Sequence, residues 1–147
     1  MVCCTGAAVD PRTMIGRAER AEAVGMRGVL EETLTRWFTP GELARTASAG
    51  VEYARRTLPA LDPGAFADAW RAMAGHDLTA RLGEVRALTT CVGGEDDVVA
   101  PPARVRELAA GIPGARLVLA PGPHMLPLEW PEGFSRLLAE HLALVAA

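Results

Sequence analysis

Ala87-Leu88-Thr89-Thr90-Cys91-Val92-Gly93-Gly94-Glu95-Asp96-Asp97 decides how this chain is read. Its first six residues form a short apolar run rich in β-formers, and the glycines and acids that follow stop it. Pro101-Pro102 then opens a helical pattern that ends near Gly111. A second apolar run, Ala115 to Ala120, stops at Pro121-Gly122-Pro123-His124. Strand, helix and strand with short links predict a βαβ unit, with its two strands as parallel neighbours. Open parallel sheets place their chemistry in the loops at the carboxyl ends of the strands. Asp97 and His124 both fall there, so one carboxylate and one imidazole reach the same rim. They supply two of the three groups of a nucleophile–base–acid triad.

Working outward, the last segment, Pro131 to Val145, carries Phe134, Leu137, Leu138, Leu142 and Val145 at helical spacing and should cover one face of the sheet. Upstream, from about residue 10 to 75, the pattern is helical. Asp10-Pro11 is an N-cap followed by proline at the first helical position, predicting a helix from about Pro11 to Val24 that Gly25 ends. Met26 to Trp37 reads as a second helix. Thr39-Pro40-Gly41-Glu42 has the form of a capping box and predicts a third, running towards Arg56. Asp62-Pro63 repeats the cap-plus-proline signal for a fourth, with Phe66, Ala69, Trp70 and Met73 on one face. Met1-Val2-Cys3-Cys4 reads as a strand entered without a polar lead-in. The expected organisation is a first core strand at residues 1–9, a helical insertion at 10–78 and an α/β core at 79–147.

Composition sets the broad class. The chain has 147 residues, half of them hydrophobic and 22% charged, with a net charge of −3. That length supports one domain with a real core. The charge gives no reason to expect nucleic acid or an acidic membrane surface as partner. No stretch approaches the ~18 apolar residues of a membrane span. The opening residues lack the basic region and apolar core of a signal peptide, so a cytoplasmic location is expected. Three cysteines, Cys3, Cys4 and Cys91, have no metal-site spacing and are read as small buried hydrophobes.

The stretch from Gly94 onward resembles the C-terminal part of the α/β-hydrolase family. In that family the catalytic acid sits in a Gly-x-x-Asp turn after the penultimate strand, matched by Gly94-Glu95-Asp96-Asp97. The histidine opens a His-x-x-x-x-Glu-x-Pro motif, matched by His124-Met125-Leu126-Pro127-Leu128-Glu129-Trp130-Pro131. Pro123 stands where the family usually has glycine. Thr5-Gly6-Ala7, Gly25-Met26, Arg36-Trp37-Phe38-Thr39-Pro40 and His76-Asp77-Leu78-Thr79 resemble the cap of 3-oxoadipate enol-lactonases. The resemblance implies the C-terminal part of an α/β-hydrolase fold, with about three parallel core strands and residues 10–78 as its helical cap. It implies Asp97 as the orienting acid, His124 as the base, and an ester or lactone as substrate. No cofactor and no metal would be needed.

The family's nucleophile elbow, Gly-x-Ser-x-Gly between a strand and a helix, does not occur in this sequence and is expected upstream of Met1. Only two serines exist. Thr46-Ala47-Ser48-Ala49-Gly50 imitates the motif, but the polar, helix-forming residues before it argue against a strand there. Ser135 follows the histidine and is a poorer candidate. Without nucleophile or oxyanion hole, the chain alone is expected to be inactive. Three classes follow: an ester or lactone hydrolase lacking its nucleophile, a non-catalytic remnant or split half that binds a separate N-terminal piece, and a cofactor-free haloperoxidase or acyltransferase on the same fold.

Other polar residues carry blander expectations. Glu95 and Asp96 read as solvated turn residues. Glu129 should tether the histidine loop or cap the last helix. His76 and His141 read as helix-end and surface residues. Trp37, Phe38, Trp70 and Met14 are candidates for a pocket lining or for plain core, and Arg17 and Arg36 for holding a substrate carboxylate through bidentate pairing or for solvated surface.

Overall fold

The computed structural model describes residues 10–146, so the strand expected at 1–9 lies outside the described residues. Eight α-helices and two short 3₁₀ helices precede, separate and follow two strands among those residues. Helix α1 (Pro11–Gly28) starts where Asp10 accepts a hydrogen bond from the Arg12 amide. Gly25 kinks it, with φ 69° and ψ 174°, a backbone state that side-chain-bearing residues avoid. The break expected at Gly25 is therefore a kink. Helical geometry resumes to Gly28, and α2 (Leu30–Trp37) begins four residues later than the periodicity suggested.

The third expected helix is two. Helix α3 (Pro40–Leu43) is capped by Thr39, and α4 (Ala49–Thr57) is capped afresh by Ser48, whose Oγ accepts from the Val51 amide at 3.2 Å. A serine N-cap satisfies a donor that the continuing helix would have bonded internally, so the chain can stop and restart there. Helix α5 (Pro63–Ala74) follows its predicted Asp62 cap.

Strands β1 (Thr90–Gly94) and β2 (Arg116–Ala120) pair in parallel, joined by α6 (Pro102–Gly111), as the βαβ pattern requires. The first strand starts three residues later than its apolar run. Pairing, not apolarity, sets its limits: Thr90 faces Arg116 and Gly94 faces Ala120, while Leu88 is left exposed. A short helix α7 (Leu126–Glu129) and the terminal α8 (Pro131–Ala146) complete the chain. Among the described residues no helix is long and apolar enough to cross a membrane.

Two hydrophobic clusters organise these elements. One gathers Ala21, Met26, Val29, Leu34, Phe38, Val51, Ala54 and Leu58 from α1 to the turn after α4. The other joins Leu82 and Cys91 to Val105, Leu108, Ala109 and Ile112 of α6 and the turn after it. Met125 and Leu128, immediately after His124, pack against the first cluster although they follow β2 in the chain. The segment that carries the histidine is thus seated on the helical block. Leu34 has no exposed surface. Leu34→Ala should cost about 2–5 kcal/mol, the range for emptying a closed aliphatic site. Urea unfolding would show it as a lower midpoint at unchanged slope.

Candidate active site

The site forms where the two strands end. Beyond the last ladder pair the loops remain zipped: the Glu95 amide donates to the Ala120 carbonyl at 2.9 Å and the Asp96 amide to Gly122 at 3.0 Å. A Cβ at Gly94 would press into the Gly122 and Pro123 carbonyl oxygens, so only glycine admits this approach. The left-handed backbone of the second loop falls on Gly122, φ 128°. Pro123 keeps an ordinary φ, and proline in the family's usual glycine position is accommodated.

Asp97 is then held from two sides. Its Oδ1 accepts from the Val99 amide at 2.7 Å and the Ala100 amide at 2.8 Å, an arrangement that fixes the side chain against its own loop. Its Oδ2 lies 2.9 Å from His124 Nδ1. Burial pushes the Asp97 carboxyl up. The hydrogen bonds from His124, Ala100 and Val99 outweigh that penalty and hold it below the ordinary carboxylate value. An ionised carboxylate only accepts, so Nδ1 carries the shared proton and Nε2 of the neutral ring is the basic nitrogen. No described residue bonds Nε2. The pair opens onto a cavity of about 150 Å³ lined by Gly94, Ala100, Leu108, Leu126 and Phe134. This arrangement can take a proton at Nε2 while the carboxylate stabilises the imidazolium that forms.

The histidine loop is anchored from outside the strands. The Met125 amide donates to the Trp37 carbonyl at 3.0 Å. Glu129 receives both donors of Thr39, the amide at Oε2 (3.0 Å) and the hydroxyl at Oε1 (2.6 Å). In a capping box the glutamate three residues on would reach back to the cap residue's amide. Here Glu42 supplies only its own amide to Thr39 Oγ1, and Glu129, ninety residues downstream, fills the reciprocal role. Glu129 is thus the tether that one sequence reading assigned to it.

The remaining candidates are placed as follows. Glu95 and Asp96 are exposed. Ser48 is buried, spends its hydroxyl on the α4 cap, follows a turn rather than a strand, and lines a different cleft with Glu42, Arg45 and Trp130. It does not join Asp97 and His124. Ser135 is exposed on α8, and Cys91 is buried in β1. His141 is more than a surface residue: its Nδ1 pairs with Thr90 Oγ1 at 3.0 Å. Met14 and Phe38 are buried in the core. Cys3 and Cys4 lie outside the described residues. No group of three or more potential metal ligands gathers among the described residues.

With this geometry in hand, likeness to solved structures fixes the class. The chain matches a hydrolase from Pseudomonas aeruginosa PA01 at 30% identity and TM-score 0.85, covering 96% of this chain and 54% of that one. It matches the enol-lactonase from Burkholderia xenovorans LB400 at 27% identity and TM-score 0.86, over 90% of this chain and 51% of that. A thermophilic esterase from Thermogutta terrifontis, solved with malate bound, follows at 26% identity and 0.83, over 94% and 51%. No family model matches the sequence. The chain therefore carries part of an α/β-hydrolase fold. It spans about half the length of the solved hydrolases it matches, among them an enol-lactonase and an esterase.

Two predictions follow from the two anchors. Asp97 has a folded-state affinity for protons below that of an unfolded carboxyl, about 3.9. Its stabilisation is therefore present above that value and lost as pH falls through the folded one. Asp97→Asn should lack this component, so its stability deficit should narrow on acidification below about pH 4. Denaturant midpoints measured across pH 2–7 would check it. For the second anchor, Glu129→Ala should cost about 1–3 kcal/mol through the donors left unpaired. Adding Thr39→Val should cost much less than it does alone, a coupling of at least about 0.5 kcal/mol in a double-mutant cycle.

Proposed function

We propose that this chain supplies the acid and the base of a carboxylic ester or lactone hydrolase, with Asp97 as the orienting acid and His124 as the base. The observation that carries this reading is the Asp97–His124 pair, 2.9 Å apart at the ends of adjacent parallel strands. In the reaction, His124 Nε2 takes the proton of a serine hydroxyl as it attacks the carbonyl, then returns it to the leaving oxygen. Asp97 keeps the imidazole in the required tautomer and offsets its charge. The serine and the oxyanion hole come from the remaining half of the fold, because the sequence has no Gly-x-Ser-x-Gly elbow and Ser48 is committed to a helix cap. That half is the proposed partner, whether a preceding segment or a separate chain. Residues 10–78 act as the cap over the site and 79–147 as core. Likeness to an enol-lactonase over 90% of the chain supports a lactone substrate within this class, and a cytoplasmic setting belongs to the same reading.

The test joins the chain to an N-terminal α/β-hydrolase half that carries the remaining strands and a Gly-x-Ser-x-Gly elbow. The joined protein should hydrolyse p-nitrophenyl acetate, and His124→Ala or Asp97→Asn should lower kcat by roughly 10³–10⁴-fold. The 147-residue chain alone should not turn over. A joined, folded protein without hydrolysis would contradict the hydrolase reading. Turnover by the chain alone, lost in His124→Ala, would contradict the missing nucleophile.

A further inference from the structure

From Leu137 to Leu144, helix α8 reads Leu-Leu-Ala-Glu-His-Leu-Ala-Leu, with one carboxylate and one imidazole among its side chains. A helix this apolar on every side belongs inside a protein. Its two polar groups are engaged with the sheet. Arg116 Nη2 donates to Glu140 Oε2 at 3.1 Å, and His141 Nδ1 pairs with Thr90 Oγ1 at 3.0 Å. Thr90 and Arg116 are the first ladder pair, so two consecutive helix residues clasp the start of β1 and of β2.

This clasp fixes how α8 is turned. Successive residues advance by about 100° around a helix. Glu140 lies on the β2 side and His141, one step on, on the β1 side. The same rotation carries Leu138 and Leu142 past β1, away from β2. They are 46% and 58% exposed, whereas Leu137, turned towards the sheet, is half-buried. With Phe134 they form one stripe at i, i+4 and i+8. Phe134 lines the cavity onto which Asp97 and His124 open, together with Val92 and Gly94 of β1. The uncovered stripe thus starts at the site and runs along α8 on the side of β1 opposite β2.

Three observations say what covers it. The stripe faces the direction in which a parallel sheet would continue past β1. The chain spans about half of the hydrolases it matches, so those proteins carry nearly as much chain again. The stripe is also continuous with the cavity through which a nucleophile must reach His124. A second copy of this chain laid on the stripe would bury the leucines but bring no elbow serine.

We propose that Phe134, Leu138 and Leu142 are the seat of the nucleophile-bearing half, which packs an apolar surface on α8 beyond β1 and closes the open side of the cavity. The seat rests on the reading that such a half exists, and it adds where that half binds.

The chain is joined at Met1 to the part of the Pseudomonas aeruginosa hydrolase that it does not match, and Leu138→Glu and Leu142→Glu are made in the joined protein and in the 147-residue chain. In the chain each change should move the urea midpoint by less than about 0.3 M, as at other exposed positions. In the joined protein each should lower it by at least about 1 M, because a carboxylate is then pressed into an apolar contact. If Leu142→Glu prevents the joined protein from folding, Leu142→Ala reads the same contrast as a smaller drop. Leu61→Glu, at a leucine of the helical block that is 47% exposed, should leave both midpoints in place. A joined protein as tolerant as the chain, a chain as sensitive as the joined protein, or a dimer of the chain that Leu142→Glu dissociates in sedimentation would each overturn the seat. Stability is read without turnover, so the two claims separate. Hydrolysis by a joined protein indifferent to both changes would sink the seat alone, and a sensitive joined protein that leaves p-nitrophenyl acetate intact would sink the hydrolase reading alone.

Discussion

Two backbone hydrogen bonds beyond the end of the β ladder, Glu95 to Ala120 and Asp96 to Gly122, hold the acid loop against the histidine loop. They require backbones closer than any Cβ allows, which is why Gly94 stands at the end of β1. Once the loops are zipped, Asp97 has little choice. One carboxylate oxygen is filled by two amides of its own turn, and the other is left facing His124 Nδ1. The proton position on the imidazole follows from this, because a carboxylate held ionised can only accept. Register, turn geometry and tautomer form one chain of constraints, and each would be undone by a side chain at Gly94.

The histidine loop also joins the two cores. Its strand side belongs to the α/β unit, while Met125 and Leu128 pack into the helical block and Glu129 clamps Thr39. A displacement of the helices at residues 37–39 is therefore felt one residue from the base, through the Met125 amide on Trp37. In a packed interior such coupling is carried by contact and hydrogen bonding and needs no long path.

Much of this was legible in the sequence because it is local. The caps at Asp10, Thr39 and Asp62, the βαβ order and the pair Asp97–His124 each depend on residues a few positions apart, or on the rule that parallel strands end on one rim. What was not legible depends on partners distant in the chain. Glu129 completing the cap of Thr39 cannot be seen from either end. Ser48 restarting a helix was obscured by its likeness to a nucleophile motif, although serine before a helix is an ordinary cap. The first strand was placed three residues early because an apolar run marks burial, whereas pairing with Arg116–Ala120 sets the ladder.

The most direct test of the account is the protonation of neutral His124, read from its imidazole ¹⁵N shifts in the intact chain. The account predicts a protonated Nδ1 and an unprotonated Nε2, with the Nδ1 proton shifted downfield by Asp97 and that shift lost in Asp97→Asn. A proton on Nε2, or an Nδ1 signal indifferent to Asp97, would contradict the acid–base pair on which the proposed chemistry stands.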